Sequence, residues 1–402
     1  MARKHPRSVQ VYSVGGAVRD ELLGRPVADH DWVVVGATPE MMLASGYTPV
    51  GRDFPVFLHP DTHEEHALAR TERKHGTGYR GFEFFASPDV TLEEDLARRD
   101  LTINAMARDA AGALIDPYGG ERDLRAGVLR HVSPAFAEDP LRVLRVARFA
   151  ARFDFTVAPA TMALMRRIVA AGELTTLAAE RVWQELAKGL DEPRPSRMLA
   201  VLRTSGALAV LLPEVDALYD TTLPRARGGN AGRHVARAVD YAAAHRYDLP
   251  ARYATLAQDL GGDATPARVN VRRADALSSR LRVPVDCRDA ARLSARHVRD
   301  VERAERLQPA QLLNLITAAD ALRRPERLER LLAAAEAHAQ SRSRTPRAYR
   351  PAQFLRDALA IVKTVDAGAV ARESGRDADA IAKAVRAARL DALRRWRAAG
   401  PR

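Results

Sequence analysis

Short apolar runs separated by Gly-rich turns predict strands in the first quarter of the chain. The runs are four or five residues long, as expected of strands in a domain that mixes strands with helices. They cover residues 11–14, 32–35, 54–58 and 82–85. A fifth candidate strand covers residues 65–70, where period-two alternation places Glu65 on one face with Ala67 and Ala69.

From residue 116 onward the pattern becomes that of helices, rich in Ala, Leu and Arg and interrupted by Pro and Gly. Within residues 138–155 the apolar positions recur at helical spacing. We predict that this helix begins around Asp139 and Pro140, because Pro suits a first helical turn. Linkers or boundaries are predicted at residues 193–195, 223–230 and 340–351.

Two motifs in the strand-rich part carry candidate chemistry. Gly15 and Gly16 follow the first strand candidate, and Gly lets the backbone approach a phosphate because no Cβ occupies the space. Asp29 and Asp31 lie at the second strand candidate, and residues two apart share one face of a strand. Neighbouring carboxylates repel unless a cation lies between them, and oxygen ligands beside phosphates favour Mg²⁺.

Either motif alone is more typical of a turn or a helix cap, whereas the combination at this spacing indicates nucleotidyl transfer. Arg19, within one helical turn of the Gly pair, is expected to face a phosphate. Glu65 is a candidate third carboxylate, with an ordinary surface glutamate as the alternative.

Two Arg-containing motifs follow. On a helix, Asp100 and Asn104 would share a face, and Arg99 could reach a triphosphate; an exposed surface pattern is the alternative. Asp139 and Arg142 together offer an acceptor and donors, which reading a base edge requires. Arg145 and Arg148 are expected to contact phosphates. The alternative here is a solvated basic face, against which the interleaved apolar residues argue.

Composition narrows the class of protein. The chain has 402 residues, enough for several domains, and its net charge of +12 with a pI near 10.3 favours an acidic polymer such as RNA. Arg richness can also reflect genomic base composition. A single cysteine, Cys287, excludes an internal disulfide and a Cys-based zinc cluster. Without a secretion signal or a membrane-spanning apolar run, we expect a cytoplasmic protein with no membrane partner.

Taken together, these motifs resemble the class II tRNA nucleotidyltransferases, the bacterial CCA-adding enzymes, and their poly(A) polymerase relatives. The likeness is nearly continuous over residues 11–215 and is closest to the long proteobacterial type. It rests on residues 15–20, 29–31, 50–59, 68–73, 98–105, 116–118 and 138–149.

The resemblance implies an α+β fold, in which a small mixed-sheet head of the polymerase-β-like type is followed by an all-α neck, body and tail. The implied ranges are a catalytic head at 1–135, a base-selecting and RNA-binding neck at 136–222, a body at 223–340 and a tail at 341–402. Both a monomer and a homodimer are compatible with the sequence.

The implied activity is template-independent addition and repair of the 3′-terminal CCA of tRNA from CTP and ATP, with Mg²⁺ as cofactor and pyrophosphate as product. Asp29 and Asp31 would be the catalytic metal ligands. Nucleotide contacts would come from Gly16, Arg19, Arg99, Asp139, Arg142, Arg145 and Arg148. The alternatives are a poly(A) polymerase and, in another class, an inactive RNA-binding protein.

The long type also has a C-terminal His-Asp phosphohydrolase domain, from which this sequence departs. His234 and Asp259 remain, but Gln258 stands where the family has a metal-binding His. An amide is a poorer ligand for a transition metal than imidazole is. We therefore predict a helical remnant without phosphohydrolase activity.

Overall fold

The computed structural model describes residues 9–27, 30–50, 56–74, 82–222, 229–262, 265–342, 348–374 and 377–400. The chain divides into two compact units. Unit 1 comprises residues 1–182 and 200–211, and unit 2 comprises residues 183–199 and 212–402. The four domain ranges expected from the resemblance are finer than this division and stay predictions.

Eleven strands form within the described residues, all in unit 1. They are β1 (Gln10–Val14), β2 (Asp31–Val35), β3 (Thr48–Val50), β4 (Val56–Leu58), β5 (Glu65–Leu68), β6 (Arg70–Lys74), β7 (Phe82–Ala86), β8 (Ala107–Arg108), β9 (Leu114–Ile115), β10 (Val128–Leu129) and β11 (Thr156–Val157). All five predicted strands are present, although residues 54 and 55 lie outside the described residues and the candidate at 65–70 divides between β5 and β6.

Seven strands form one mixed sheet in the order β3-β4-β5-β2-β1-β8-β9. Only the β2–β5 pair in it is parallel. Two smaller ladders join β6 to β7 and β10 to β11. Both faces of β2 are buried, because Val33 and Val35 pack in one apolar cluster while Val34 packs in another with Phe57 and Leu68. Burial on both faces explains why β2 reads as a continuous apolar run.

Nineteen α-helices lie in the described residues. The first seven are α1 (Gly16–Leu22), α2 (Pro39–Ala44), α3 (Leu92–Ala97), α4 (Gly120–Ala126), α5 (Arg142–Phe153), α6 (Pro159–Ala170) and α7 (Ala179–Asp191). They are followed by α8 (Pro195–Ser205), α9 (Ala207–Leu211), α10 (Pro213–Asp216), α11 (Ala231–Ala244), α12 (Leu249–Ala257), α13 (Ala267–Arg280), α14 (Val285–Glu302), α15 (Pro309–Ala318), α16 (Pro325–Ser341), α17 (Arg350–Lys363), α18 (Ala367–Glu373) and α19 (Ala378–Ala398). The predicted fold class, a mixed-sheet head followed by helices, is confirmed.

The predicted start of α5 was wrong. A 3₁₀ helix ends at Glu138, Asp139 is extended with φ −112° and ψ 103°, and α5 begins only at Arg142. Pro140 explains the difference, because the residue before a proline is driven out of the helical region. The Asp139 side chain accepts a hydrogen bond from the Leu141 N–H at 3.0 Å and so stabilises this turn.

Unit 2 is helical throughout its described residues. Alanines at 254, 290 and 334 let α12, α14 and α16 approach closely around one small cluster. A larger apolar cluster includes Leu332 and Leu355 and extends to Leu393 on α19. Within the described ranges, no helix is both long and apolar enough to cross a membrane.

Candidate functional site

Asp31 is the first residue of β2 and is exposed. Its antiparallel register partner is Val14, so the turn of Gly15 and Gly16 that follows β1 begins beside it. Its parallel register partner on β5 is Glu65, and register partners carry their side chains on the same face of a sheet. The structure therefore brings together the predicted Gly turn, Asp31 and the candidate carboxylate Glu65.

The Asp31 and Glu65 carboxylates suit a hard cation. Neither makes an ion pair or a side-chain hydrogen bond with another residue in the described part of the chain. On the opposite face, the next residues, Trp32 and His66, stack with ring centroids 5.6 Å apart. No set of three metal-ligating side chains forms among the described residues, and Asp29 lies outside them. Two adjacent carboxylates match the donors that Mg²⁺ takes beside phosphate oxygens.

Gly15 is needed for the close approach of Arg99, whereas Gly16 stands at an ordinary contact distance from Arg19. Gly15 has φ +69°, and a Cβ on it would lie 2.6 Å from Arg99 Nη1. A Cβ on Gly16 would lie 3.5 Å from Arg19 Nη2. Arg99 is held by hydrogen bonds to Asp95 Oδ2 at 3.3 Å and to the Asn104 carbonyl oxygen at 3.4 Å. The structure thus places both predicted arginines at the glycine turn.

Arg19 is bound by protein groups rather than exposed. Its Nε and Nη2 each donate to the Asp20 carboxylate at 2.9 Å, and its Nη1 donates to Asn104 Oδ1 at 2.6 Å. A guanidinium has five N–H donors, so one remains on each of Nη1 and Nη2. Asp20 also accepts a hydrogen bond from Arg152 on α5 at 3.0 Å.

Asp100 continues this network. Its Oδ1 accepts from Asn104 Nδ2 at 2.9 Å, and its Oδ2 accepts from Arg145 Nε at 2.8 Å. Burial acts to raise the pKa of Asp100, but Arg145 and the Asn104 hydrogen bond outweigh it and lower the pKa to about 2. The predicted contact between Asp100 and Asn104 is present. The predicted helix is not, because α3 ends at Ala97 and Asn104 lies in a separate 3₁₀ turn.

The two predicted base-selecting residues both have protein partners. Arg142 donates from Nη1 to the Ala135 carbonyl at 2.8 Å and from Nη2 to the Arg98 carbonyl at 2.6 Å. Asp139 Oδ2 accepts from Arg181 at 3.2 Å. Arg142 retains three N–H donors, one on each terminal nitrogen and one on Nε.

The remaining predicted contact, Arg148, is buried on α5 with its guanidinium 4.5 Å from the centroid of Phe149. Arg145 lies 5.7 Å from the same ring. Cations over an aromatic face are attracted by its quadrupole, so Phe149 helps to fix both guanidinium groups.

Sequence reasoning missed the residues that hold the arginines in place. Asp95 is fully buried and binds Arg98 and Arg99, while Asp20 binds Arg19 and Arg152. One signal was available for Arg152, which lies two helical turns after Arg145 and therefore on the same face of α5.

In unit 2, His234 and His338 belong to a buried hydrogen-bond network. His338 Nε2 lies 2.8 Å from the Thr255 carbonyl oxygen, so it carries the proton and His338 Nδ1 accepts. His234 Nε2 then donates to that Nδ1 at 3.0 Å, and His234 Nδ1 faces Ser341 Oγ at 2.7 Å. Gln258 is buried and donates to the Ala334 carbonyl at 2.9 Å. Both ring nitrogens of both histidines are therefore engaged.

The chain is similar to known protein families and to curated proteins. Residues 11–130 match the family model of the poly A polymerase head domain, and residues 154–219 match the probable RNA and SrmB-binding site of polymerase A. The multifunctional CCA protein of Burkholderia multivorans is 54% identical over 96% of this chain and 98% of its own length. That of Chromobacterium violaceum is 57% identical over 90% of this chain and 92% of its own.

Solved structures agree with this placement. The Bacillus stearothermophilus CCA-adding enzyme in complex with CTP is 28% identical, with a TM-score of 0.66 over 96% of this chain and 89% of that one. A CCA-adding enzyme in complex with ATP is 22% identical with a TM-score of 0.67, covers 96% of this chain and 86% of that one, and supports the fold alone.

The head fold, with its glycine turn beside strand-borne carboxylates, defines a nucleotidyltransferase of the poly(A) polymerase head type. Within that class, the chain belongs to the multifunctional CCA protein family, the CCA-adding enzymes.

Proposed function

We propose that this chain adds and repairs the 3′-terminal CCA of tRNA, using CTP and ATP and releasing pyrophosphate. The observation that carries the proposal is the register of β2, which sets Asp31 beside both the Gly15 turn and Glu65. Phosphate-binding backbone and metal-binding carboxylates must lie side by side for nucleotidyl transfer. Family membership agrees with this activity.

The metal is Mg²⁺ in this proposal, held by Asp31 and Asp29, with Glu65 as a further carboxylate on the Asp31 face. The chemistry that such an ion supplies when bound is charge neutralisation on the triphosphate and activation of the attacking 3′-hydroxyl. The protein contributes the fixed spacing of the oxygen ligands. Glu65 needs no movement to take part, because the parallel ladder already aligns it with Asp31.

The nucleotide contacts follow from the geometry of the glycine turn. Gly16 begins α1, so its N–H has no acceptor within the helix and is available to a phosphate oxygen. Arg99 lies against Gly15, and Arg19 keeps two N–H donors next to Gly16. Arg145 and Arg148 on α5 would complete a basic wall around the triphosphate.

Base selection falls to Asp139 and Arg142. The Asp139 carboxylate accepts and the remaining Arg142 donors donate, which is the combination that a cytosine or adenine edge requires. A protein surface that reads the incoming base removes the need for a nucleic acid template. RNA would be held mainly through phosphates, in keeping with the net charge of +12. A cytoplasmic location stays a prediction from the sequence.

The decisive experiment supplies purified enzyme with tRNA that lacks its 3′ CCA and with CTP alone. We expect incorporation of two C residues, followed by one A when ATP is added. Extension by A only, with no use of CTP, would instead establish a poly(A) polymerase, whose head domain this sequence also matches.

We further propose that unit 2 has lost metal-dependent phosphohydrolysis. The His234 and His338 nitrogens are all hydrogen-bonded, and the Gln258 amide is tied to Ala334. A metal would have to break these histidine hydrogen bonds before gaining an imidazole ligand. We expect no hydrolysis of a 2′,3′-cyclic phosphate with added Ni²⁺, and clear turnover would refute the proposal.

A further inference from the structure

A cavity of about 520 Å³ opens in unit 2 between the start of α17 and the end of α19. Its volume is in the range of small-molecule sites. The side chains that matter for its chemistry are Glu305, Tyr349, Arg350, Gln353, Phe354 and Arg397. No residue of the proposed catalytic site contributes to it.

Two of these side chains are arginines without a carboxylate partner in the described part of the chain. Arg397 donates from Nη2 to the main-chain carbonyl of Glu305 at 2.7 Å, and its Nη1 has no hydrogen-bond partner there. Arg350 makes no side-chain hydrogen bond or ion pair with another described residue. Glu305 is the one acidic residue among the described lining residues, so the two arginines leave an excess of positive charge.

A second cavity does not share this excess of positive charge. This second cavity of unit 2, of about 380 Å³, is lined by three acidic and three basic residues, Asp286, Asp289, Glu326, Arg324, Arg327 and Arg330. In that cavity Arg330 is also bound to Asp248 at 2.6 Å. The acidic and basic side chains of that cavity balance, so it offers an anion little net electrostatic attraction.

One wall of the cavity is aromatic, and Arg397 lies against it. The Arg397 guanidinium carbon lies 5.3 Å from the centroid of the Phe354 ring, which packs at 5.0 Å against Trp396. Tyr349 begins the same wall, and burial raises the pKa of its hydroxyl, so the group stays a protonated donor. Aromatic side chains and two arginines in one lining suit a base or sugar attached to a phosphate.

We propose that this cavity binds the phosphate of a nucleotide, presented either by a free mononucleotide or by a nucleotide within an RNA strand. The two arginines hold the phosphate oxygens, and the aromatic wall takes the apolar part. Gln353 donates from Nε2 to Asp357 at 2.8 Å and keeps one amide N–H for the ligand. The site would be separate from the nucleotide site proposed in the head and would not take part in the chemistry there.

The test compares the full-length protein with the double variant Arg350→Gln/Arg397→Gln. The matched control is Arg394→Gln, which removes an exposed arginine of the same helix that is already paired with Asp391. ATP stoichiometry is measured by equilibrium dialysis, and tRNA affinity is measured as a function of salt. Thermal melting identifies any variant that fails to fold, in which case Gln353→Glu repels the phosphate without removing an arginine.

If the cavity binds free nucleotides, wild type binds two equivalents of ATP and the double variant binds one. If it binds RNA, ATP stoichiometry stays at one, and the double variant lowers the slope of log affinity against log salt by about 1, because the contact to one phosphate is lost. Each result supports the proposal and identifies the source of the phosphate. Unchanged ATP stoichiometry together with an unchanged salt slope in a folded variant overturns it.

Discussion

The guanidinium of Arg152 donates to the carboxylate of Asp20 at 3.0 Å, joining residues 132 positions apart. The connection continues from Asp20 through Arg19 to Asn104. Asn104 then binds Asp100, which accepts from Arg145. Because Arg145 and Arg152 both lie on α5, the network starts and ends on that helix and passes through α1, the helix that follows the glycine turn. The two halves of the proposed nucleotide site are thereby fixed relative to each other.

Asp20 is the position at which this network is most easily interrupted. Asp20→Asn leaves Arg19 and Arg152 without their negative partner in a largely buried setting. Removing one member of a buried ion pair costs about 3–5 kcal/mol of unfolding free energy, and we expect the lower end because Arg152 is partly exposed. Urea unfolding measures the loss, and kinetics should show a raised KM for CTP and ATP.

The neighbouring residue Glu21 provides the control for Asp20. It pairs with Arg108, but its side chain is 55% exposed. Glu21→Gln should therefore change stability by no more than about 1 kcal/mol and leave KM unaltered. Equal effects of the two variants would show that the Asp20 network has no special role.

Gly15 tests the close approach of Arg99. In Gly15→Ala, the methyl group would meet Arg99 Nη1 at 2.6 Å, and the backbone would remain at φ +69°. Gly24→Ala is the matched control, since its φ is +64° and nothing lies within 4 Å of the added methyl group. Gly24→Ala should lose about 1 kcal/mol of stability from backbone strain. Gly15→Ala should lose more, because φ +69° with ψ −120° is a combination that only glycine adopts readily.

The added methyl group displaces Arg99 at position 15 and meets nothing at position 24. We therefore expect Gly15→Ala alone to raise KM for the nucleotide, by roughly tenfold if one charge-assisted contact is lost. Steady-state kinetics with CTP and with ATP separate the two variants. A normal KM in Gly15→Ala would remove Arg99 from the nucleotide site.

Elements of the fold could be predicted where a run of several residues shows a hydrophobic pattern. The strand at residues 32–35 is apolar on both faces and was found, whereas β8 and β10, with two residues each, have no pattern to read. The start of α5 was missed because Pro140 acts on the residue before it, and a helical periodicity continues across that break.

The candidate site likewise contains residues that local sequence motifs predict and residues that only the packed fold brings together. Gly16, Arg19 and Asp31 could be predicted from local motifs. Gly16 and Arg19 are close in sequence, and the register of β1 with β2 brings Asp31 beside them. The partners of the arginines could not be predicted, because Asp20 meets Arg152 only once the sheet and α5 are packed. Asp29 lies outside the described residues, so its place in the metal site stays a prediction.

Asp31 should be indispensable for the chemistry and dispensable for RNA binding. Asp31→Asn keeps the size of the side chain and removes one negative ligand, which is worth several kcal/mol of transition-state stabilisation, or about 10³-fold in kcat. Affinity for tRNA, measured by filter binding, should stay within about twofold. Glu64→Gln is the control, because that nearby carboxylate binds Trp32 Nε1 at 3.0 Å and is held for packing.

The kcat of Glu65→Gln should fall between those of Asp31→Asn and Glu64→Gln, since the parallel β2–β5 ladder aligns Glu65 with Asp31. Full activity in Asp31→Asn would refute the metal assignment altogether. Full activity in Glu65→Gln alone would limit the metal ligands to the two aspartates.

His234 should make unit 2 sensitive to acid. Burial first, and then His338, Arg342 and Arg237, lower the pKa of His234 from its usual 6.5 to about 2. The unfolded chain therefore binds a proton below pH 6.5 that the folded chain refuses, so the free energy of unfolding falls as pH falls. One such group contributes about 1.4 kcal/mol per pH unit over this interval. The signal to measure is the pH dependence of urea unfolding in wild type and in His234→Gln.

We expect His234→Gln to be less stable than wild type at pH 7, because it loses the hydrogen bonds to His338 and Ser341. Between pH 6.5 and pH 4.5, however, its stability should fall less steeply than that of wild type, by about 1.4 kcal/mol per pH unit. His245→Gln, which changes an exposed histidine of the same unit, should keep the wild-type slope. Identical slopes in all three proteins would mean that His234 is protonated in the folded state and that the network does not hold it neutral.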